Sequence, residues 1–326
     1  MTIKSRINYF QRIFTAYVIG NNSQLTFFHE KPDVNADALV REVGQYYMSF
    51  LHKANYPGPF DNNGIPLIDY QGVVGKQYCS IAISQYGLGH YNLYRKTGNK
   101  KDIEIAIKQA DWLIANLEKN NNGVSVWMHH FNWEYRDTLK SPWYSALAQG
   151  NGISLLLRVY LETKNKKYLE TTQEAFRSLL ITINRGGMLC VDKENNYWLE
   201  ETIVDPPTHI LNGFLWTLFG VWDYWLFFQD QGAKDLFDKC VEGLKNNLKN
   251  YDIGFWSLYE QSGTRMKMMA SPFYHSLHII QLRILYKITN EIIFSQYAEK
   301  WEKYRKNWFY RNLALTYKII FKILYY

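Results

Sequence analysis

The strongest constraint on this chain is a pattern that recurs along it: an apolar helix-like stretch, a short polar turn, an amphipathic helix, then a Gly-led segment of strand character. The turns are Thr97-Gly98-Asn99-Lys100-Lys101, Thr163-Lys164-Asn165-Lys166-Lys167, Asp230-Gln231-Gly232-Ala233-Lys234 and Thr289-Asn290-Glu291. The Gly-led segments of the first three units are Gly123-Val124-Ser125-Val126, Gly187-Met188-Leu189-Cys190 and Gly254-Phe255-Trp256-Ser257. The period is roughly 65 residues, and a unit of that kind buries its apolar face only by stacking on its neighbours.

The two helices of a unit differ in a way that assigns their places. Ile103, Ile107, Ala110, Trp112, Leu113 and Leu117 recur near i, i+4, i+7 with Lys and Glu between them, the pattern of an outer helix with one wet face. The leading helices, around residues 81–94, 143–161, 210–228 and 274–288, carry few charges and many aromatic or small residues, as enclosure on most sides requires. This alternation predicts an all-α fold, an (α/α) toroid or incomplete barrel of helical hairpins, with short β-hairpins crowding one rim where a groove would form. The toroid is expected over residues 78–326, with residues 1–77 as N-terminal helices and a Pro/Gly-rich arm, residues 56–75, packed on it. Leu211–Phe228 is long and apolar enough to raise a membrane span, but Asn212, Asp223 and Asp230 argue for a buried inner helix.

With 37 Lys+Arg against 30 Asp+Glu, the net charge of +7 favours an acidic partner: a nucleic acid, an anionic membrane or an acidic polysaccharide. The 11 Trp, 26 Tyr and 18 Phe favour the last of these, and no nucleic acid is expected, because flat rings stack on sugar faces. Cys79, Cys190 and Cys240 are far apart and form no metal-type pair, so reduced core residues are expected. Residues 1–22 are basic and amphipathic, but their apolar run at 14–19 is short and no small-residue cleavage site follows. A cytoplasmic protein is therefore expected. The basic, aromatic C-terminal tail from Trp308 suits either peripheral contact with an anionic membrane or a final helix docked on the toroid. A homodimer stays open.

Glu200 and Glu201 end the second strand pair just before Asp205-Pro206-Pro207, and paired acids suit proton transfer, although solvated loop charges would look the same. Tyr259 ends the corresponding segment of the next unit, and Tyr274-His275 opens the last inner helix beside Pro272. His275 and His278 stand at i, i+3, and His129-His130 lie on the first strand pair. Either set could ligate a metal, but no HExxH or carboxylate-rich motif accompanies them, so packing or hydrogen-bonding histidines and no metal are expected. Gly87-Leu88-Gly89 lacks a third glycine, and neither a Walker A loop nor a GxSxG elbow occurs. A nucleotide cofactor is not expected.

Four segments carry a family resemblance: Gln85-Tyr86-Gly87-Leu88-Gly89-His90-Tyr91; Pro142-Trp143-Tyr144-Ser145-Ala146-Leu147-Ala148-Gln149-Gly150; Glu200-Glu201 followed by Leu211-Asn212-Gly213-Phe214; and Tyr274-His275-Ser276-Leu277-His278. In content, order and spacing they resemble the catalytic domain of D-glucuronyl C5-epimerases, which convert glucuronate to iduronate in heparan-type polymers. The resemblance runs over residues 78–306, and the residues before it show no match to the family's β-rich N-terminal region. It implies a toroid gripping a linear acidic glycan, with Glu201, Tyr259 and Tyr274 as the catalytic proton carriers. It implies sugar binding by Tyr86, His90, Trp143, Tyr144, Gln149, Asn212 and His275, with core packing the competing reading for the aromatic residues. Two departures stand out: a tyrosine that follows the family's glutamate is Thr202 here, and Arg265 is only a candidate for an arginine that falls in a shortened segment.

The chemistry accounts for these residue types. Carbon 5 of a hexuronate carries a weakly acidic proton, and its removal builds a second negative charge on the adjoining carboxylate, which cations and hydroxyl donors must hold. Inversion also needs a base on one face of the ring and an acid on the other. The expectation is that Glu201 and Tyr259 take those two faces, with Tyr274 and Arg265 near the carboxylate and no cofactor required. The same carbanion could instead expel the 4-linked sugar, which would make a polysaccharide lyase. A non-catalytic glycan-binding protein is the other rival, while a glycosidase finds no independent carboxylate pair.

Overall fold

The structure, a computed structural model, describes residues 27–28, 31–70, 72–134 and 138–325. N-terminal helices were expected within residues 1–77; residues 1–26 lie outside the described residues, and the described part of that range holds the one-turn helix Leu51–Ala54. The chain divides into two units: Asp33–Asn246, and Asn247–Tyr326 together with the residues preceding Asp33.

The first unit holds three helical hairpins: α2 (Ser80–Thr97) with α3 (Lys100–Ala115), α4 (Ala146–Thr163) with α5 (Lys166–Leu180), and α6 (Leu211–Phe228) with α7 (Gln231–Asn247). A one-turn helix, α1 (Leu51–Ala54), precedes them and packs on α2. Each hairpin reverses by the same local chemistry. The leading helix ends on a left-handed residue, Gly98, Lys164 or Gln229, with φ of 72°, 57° and 52°. The next residue caps the following helix: Asn99 and Asn165 accept the N–H of Lys101 and Lys167 at 3.2 Å, and Asp230 accepts that of Ala233 at 2.7 Å.

Every residue of α6 from Leu211 to Tyr224 is buried, as are those of α4 from Ala146 to Val159. The two helices meet backbone to backbone. A Cβ on Gly220 would stand 2.3 Å from the Gly150 carbonyl oxygen, and one on Gly150 would stand 2.6 Å from Thr217 Cα, so only glycine permits the crossing. α6 is an inner helix of this unit, and no helix among the described residues is long and apolar enough to cross a membrane. Its one acid, Asp223, pairs with Arg158 of α4 at 2.6 Å, both side chains fully buried. Burial works against the guanidinium charge, but the Asp223 carboxylate outweighs it and holds Arg158 above its ordinary value. Tyr47 Oη donates to the other Asp223 oxygen at 2.6 Å. The segment carrying Tyr46 and Tyr47 is itself clasped by Asn92 of α2, which accepts from the Tyr46 N–H at 2.7 Å and donates to the Met48 carbonyl at 2.8 Å.

Short antiparallel pairs accompany the hairpins. β1 (Leu67–Asp69) and β2 (Lys76–Tyr78) form a hairpin where an arm without regular structure was expected; Gly72 and Gly75, both at positive φ, supply its turn. β3 (Leu117–Lys119), β4 (Ser125–His129) and β7 (Trp143–Tyr144) make a three-stranded sheet, β5 (Trp133–Glu134) pairs with β6 (Thr138–Leu139), and β8 (Leu189–Val191) with β9 (Tyr197–Leu199). Trp143 and Tyr144, expected to open an inner helix, are instead strand residues paired with His129 and Met128, and the helix begins at Ala146. Cys79, Cys190 and Cys240 are unpaired and buried, as expected of reduced core residues.

The second unit contains α8 (Pro272–Thr289), α9 (Ile292–Lys306) and α10 (Trp308–Tyr325). Asn290, at φ 59°, repeats the left-handed hinge. The third Gly-led segment departs from expectation: it forms isolated bridges, Asp252 with Ser257 and Leu258 with Met269, instead of a strand pair. The Ser257 N–H points to His275 Nδ1 at 3.2 Å, which diverts a donor that a ladder would use. α10 buries Ala314, Lys318 and Phe321 and turns Phe309, Leu313, Ile320 and Leu324 outward.

Candidate active site

In the first unit the two adjacent acids are held by one short stretch of chain, residues 209–213, that leads into α6. Glu200 follows β9; its N–H donates to the Met188 carbonyl at 3.0 Å, and its carbonyl accepts the Ala146 N–H at 3.1 Å, which fixes the acids beside the start of α4. The Glu200 side chain is buried, and His209 occupies both of its oxygens. Glu201 keeps partial solvent exposure. Its Oε2 accepts from Asn212 Nδ2 at 3.3 Å and lies over Gly213, where an added Cβ would stand 2.0 Å from that oxygen. Crowding by protein around this carboxyl, together with the Glu200 carboxylate beside it, pushes Glu201 up to about 8 against the weaker pull of Asn212. At neutral pH Glu201 therefore holds a proton that it can release within the physiological range.

The other residues singled out in this unit take different places. Trp143 and Tyr144 are half-buried on β7. Trp143 stacks on His129 with centroids 4.1 Å apart and donates to the Phe131 carbonyl at 2.8 Å, while Tyr144 Oη donates to the Gly186 carbonyl at 3.1 Å. Tyr86 and His90 meet edge to face at 4.6 Å, and His90 Nδ1 donates to Asp102 at 2.7 Å. That contact ties α2 to the first turn of α3, about 15 Å along α2 from its start. Gln149 is fully buried: its Oε1 accepts the Trp127 N–H at 3.1 Å, and its Nε2 donates to the Ala175 carbonyl and Ser178 Oγ at 3.0 Å. Its amide serves the fold by anchoring β4 to α4 and α5. Thr202 is buried against Thr208, their hydroxyls 3.5 Å apart.

In the second unit Tyr259 and Tyr274 are brought together, half-buried, with ring centroids 4.8 Å apart at 61°. Tyr259 is held in a loop by its N–H on the Met268 carbonyl at 2.8 Å, and Tyr274 lies in the first turn of α8, where its N–H meets the Ser271 cap. Arg265 is exposed in that same loop. His275 is fully buried: Nε2 donates to the Trp301 carbonyl at 3.0 Å, Nδ1 faces Ser257 Oγ at 2.8 Å, and the ring stacks on Trp256 at 3.9 Å. Burial pushes it down to about 3, a neutral brace between α8 and α9. His278 shares Ser257 Oγ at 3.1 Å, and His129 packs among aromatic rings with its value also pushed by burial to about 3. These are the hydrogen-bonding and packing roles expected for histidines of this kind. Among the described residues no three His, Cys, Asp or Glu side chains converge as a metal would require.

Sequence reasoning passed over His209. Its only signal was a protonatable residue between Pro206-Pro207 and the apolar start of α6, and nothing local marks it as the partner of an acid nine residues earlier.

Residues 119–303 match the family model described as D-glucuronyl C5-epimerase C-terminus. An uncharacterized protein of Methanocaldococcus jannaschii is 26% identical over 270 residues, covering 76% of this chain and 86% of its own. The D-glucuronyl C5-epimerase of Caenorhabditis elegans is 30% identical over 210 residues, covering 60% of this chain and 34% of its own, so this chain matches about a third of that relative's length. Among solved structures, a β-1,3-1,4-glucanase of Paenibacillus superposes with a TM-score of 0.50 at 9% identity over 98% of this chain and 92% of its own. An unsaturated glucuronyl hydrolase specific for heparin gives 0.46 at 12% identity, over 93% and 81%. The fold class is thus the expected one, helical hairpins with short β-pairs in the manner of the (α/α) toroid glycoside hydrolases.

Proposed function

We propose, from the premise that the chain belongs to the D-glucuronyl C5-epimerase C-terminal family, that it inverts carbon 5 of uronate residues, D-glucuronate to L-iduronate, within an acidic polysaccharide. The observation that carries this reading is Glu201: an acid held close to neutral proton affinity by burial and by a second carboxylate, on a segment that keeps the family's Glu-Glu and Leu-Asn-Gly-Phe spacing. An acid poised near 8 gives and takes protons at physiological pH, which an ordinary surface glutamate does poorly.

In this reading Glu201 is one proton carrier and Tyr259 the other, with Tyr274 beside Tyr259 and Arg265 as a cation for the substrate carboxylate. A tyrosine of ordinary value near 10 is a good donor at pH 7 and a poor base. It suits the step in which the enediolate is reprotonated, and the reverse step needs cations near the hydroxyl. Asn212 steadies Glu201, Trp143 and Tyr144 offer aromatic surface to sugar rings, and Gln149 and His275 support these positions from inside. The outward apolar stripe of α10, next to Lys303, Arg305 and Lys306, suits an anionic lipid surface where such polymers are assembled.

The test is incubation with a glucuronate-containing polymer in heavy water, followed by NMR of the uronate ring. Deuterium at carbon 5 and new iduronate signals are expected, at unchanged polymer length. A shortened polymer with an ultraviolet-absorbing unsaturated end would make the protein a lyase. Binding without any exchange would make it a glycan-binding protein.

A further inference from the structure

Glu200 and His209 form a built pair that the roles above leave unused. Glu200 is 1% exposed, and His209 grips it twice, with ring Nδ1–H on Oε1 at 2.5 Å and backbone N–H on Oε2 at 3.1 Å. The ring lies on Trp198, centroids 4.5 Å apart and planes within 20°. The His209 backbone is held at φ 50°, in the left-handed region, where a residue with a Cβ is strained. A strained backbone, a stacked ring and a buried carboxylate thus fix a single imidazole in one orientation.

That orientation has a chemical consequence. With Nδ1 giving its proton to Glu200, the lone pair of the neutral ring is at Nε2, and a carboxylate behind Nδ1 stabilises the imidazolium formed when Nε2 gains a proton. A general base held by an orienting acid has this construction. The His209 side chain keeps 14% of its surface exposed and stands three residues ahead of Asn212, which contacts Glu201. Glu201, pushed up to about 8, carries its proton in most molecules at pH 7 and is then unable to accept another.

We infer that His209 is a further proton-carrying residue, oriented by Glu200 and acting on the same side of the substrate as Glu201. The inference rests on the epimerase reading. In the step it serves, the carbon 5 proton passes to Nε2 and the C–H electron pair moves into the adjoining carboxylate as an enediolate. Glu200 holds the resulting imidazolium, and the reverse step returns the proton to carbon 5.

His209→Asn tests this, because asparagine tolerates positive φ and its amide can still donate to Glu200, while the titratable nitrogen is gone. Deuterium uptake at carbon 5 is measured in heavy water from a glucuronate polymer and separately from its iduronate counterpart, for the wild type, His209→Asn and Glu201→Gln. The variant should lose about 100-fold or more of exchange from one epimer, the same one that Glu201→Gln affects, and keep exchange from the other within a few-fold. Exchange by His209→Asn that matches the wild type for both epimers, or that falls equally for both, overturns the inference. A second measurement stands if the variant fails to fold: the Nε2 resonance of His209 in ¹⁵N-imidazole spectra of the wild type should move with glucuronate polymer and not with a neutral glucan. An unmoved resonance overturns it. Wild type that exchanges neither epimer sinks the epimerase reading instead, and the imidazole spectra still decide whether His209 meets the polymer.

Discussion

Glu201→Gln keeps the shape of the side chain and the oxygen that Asn212 uses, and removes only the acidity. In the folded protein this carboxyl stands at about 8 against an ordinary 4.5. The folded state therefore binds the proton more tightly than the unfolded chain. The stability this contributes is fully present below pH 4.5 and is lost as pH rises through 8. At about 1.4 kcal/mol per pH unit the whole loss is on the order of 5 kcal/mol, of which roughly 3.5 falls between pH 5 and 8. Solvent at the exposed edge of the residue lowers that to about 2 kcal/mol. The assay is urea unfolding of wild type and variant at half-unit steps from pH 5 to 8, read as the difference between the two, so that groups common to both cancel. Glu201→Gln should become the more stable protein as pH rises, by about 2 kcal/mol at pH 8 relative to pH 5. A difference that stays flat across this window refutes the claim that burial and Glu200 set the acidity of Glu201.

Three further outcomes follow from the geometry. Gly213→Ala puts a methyl 2.0 Å from Glu201 Oε2 and must push the carboxyl aside; carbon 5 exchange should fall at least 10-fold with the far-ultraviolet spectrum unchanged, and unaltered exchange would mean that the position of Glu201 is unimportant. Arg158→Met strands the buried Asp223 carboxylate and should cost about 3–5 kcal/mol in denaturant unfolding, whereas adding Asp223→Leu should recover most of it. Full-length protein should sediment with phosphatidylserine-containing vesicles, and replacing Phe309, Ile320 and Leu324 with serine should weaken this at least 10-fold; a wild type that stays in the supernatant removes the membrane reading.

The hairpin array was legible because its causes are local. Polar turns with Asn or Asp at the cap, and the contrast between enclosed and one-sided helices, can be read within a window of a few turns, and the leading helices α2, α4, α6 and α8 lie within a few residues of the ranges that contrast gave, while Leu117, read with α3, belongs to β3. The strand character of Trp143 and Tyr144 was not legible, since it depends on pairing with Met128 and His129, and apolar residues before a helix look alike whether or not they belong to it. Likewise the third Gly-led segment has strand composition, yet His275 from a later helix takes the N–H of Ser257.

The sequence by itself determined the class of fold, the family and the pair of acids worth attention, because periodicity, turn chemistry and motif spacing are properties of neighbouring residues. Only the tertiary structure decided which polar groups are spent inside the fold and which stay available for proton chemistry. Gln149 finds its partners at Trp127 and Ala175, His275 at Trp301, and Glu200 at His209, while Glu201 owes its proton affinity to Glu200 and to the protein crowded around its carboxyl. Hydrogen-bond satisfaction and desolvation are set by what folding brings near, and distance along the chain does not encode them.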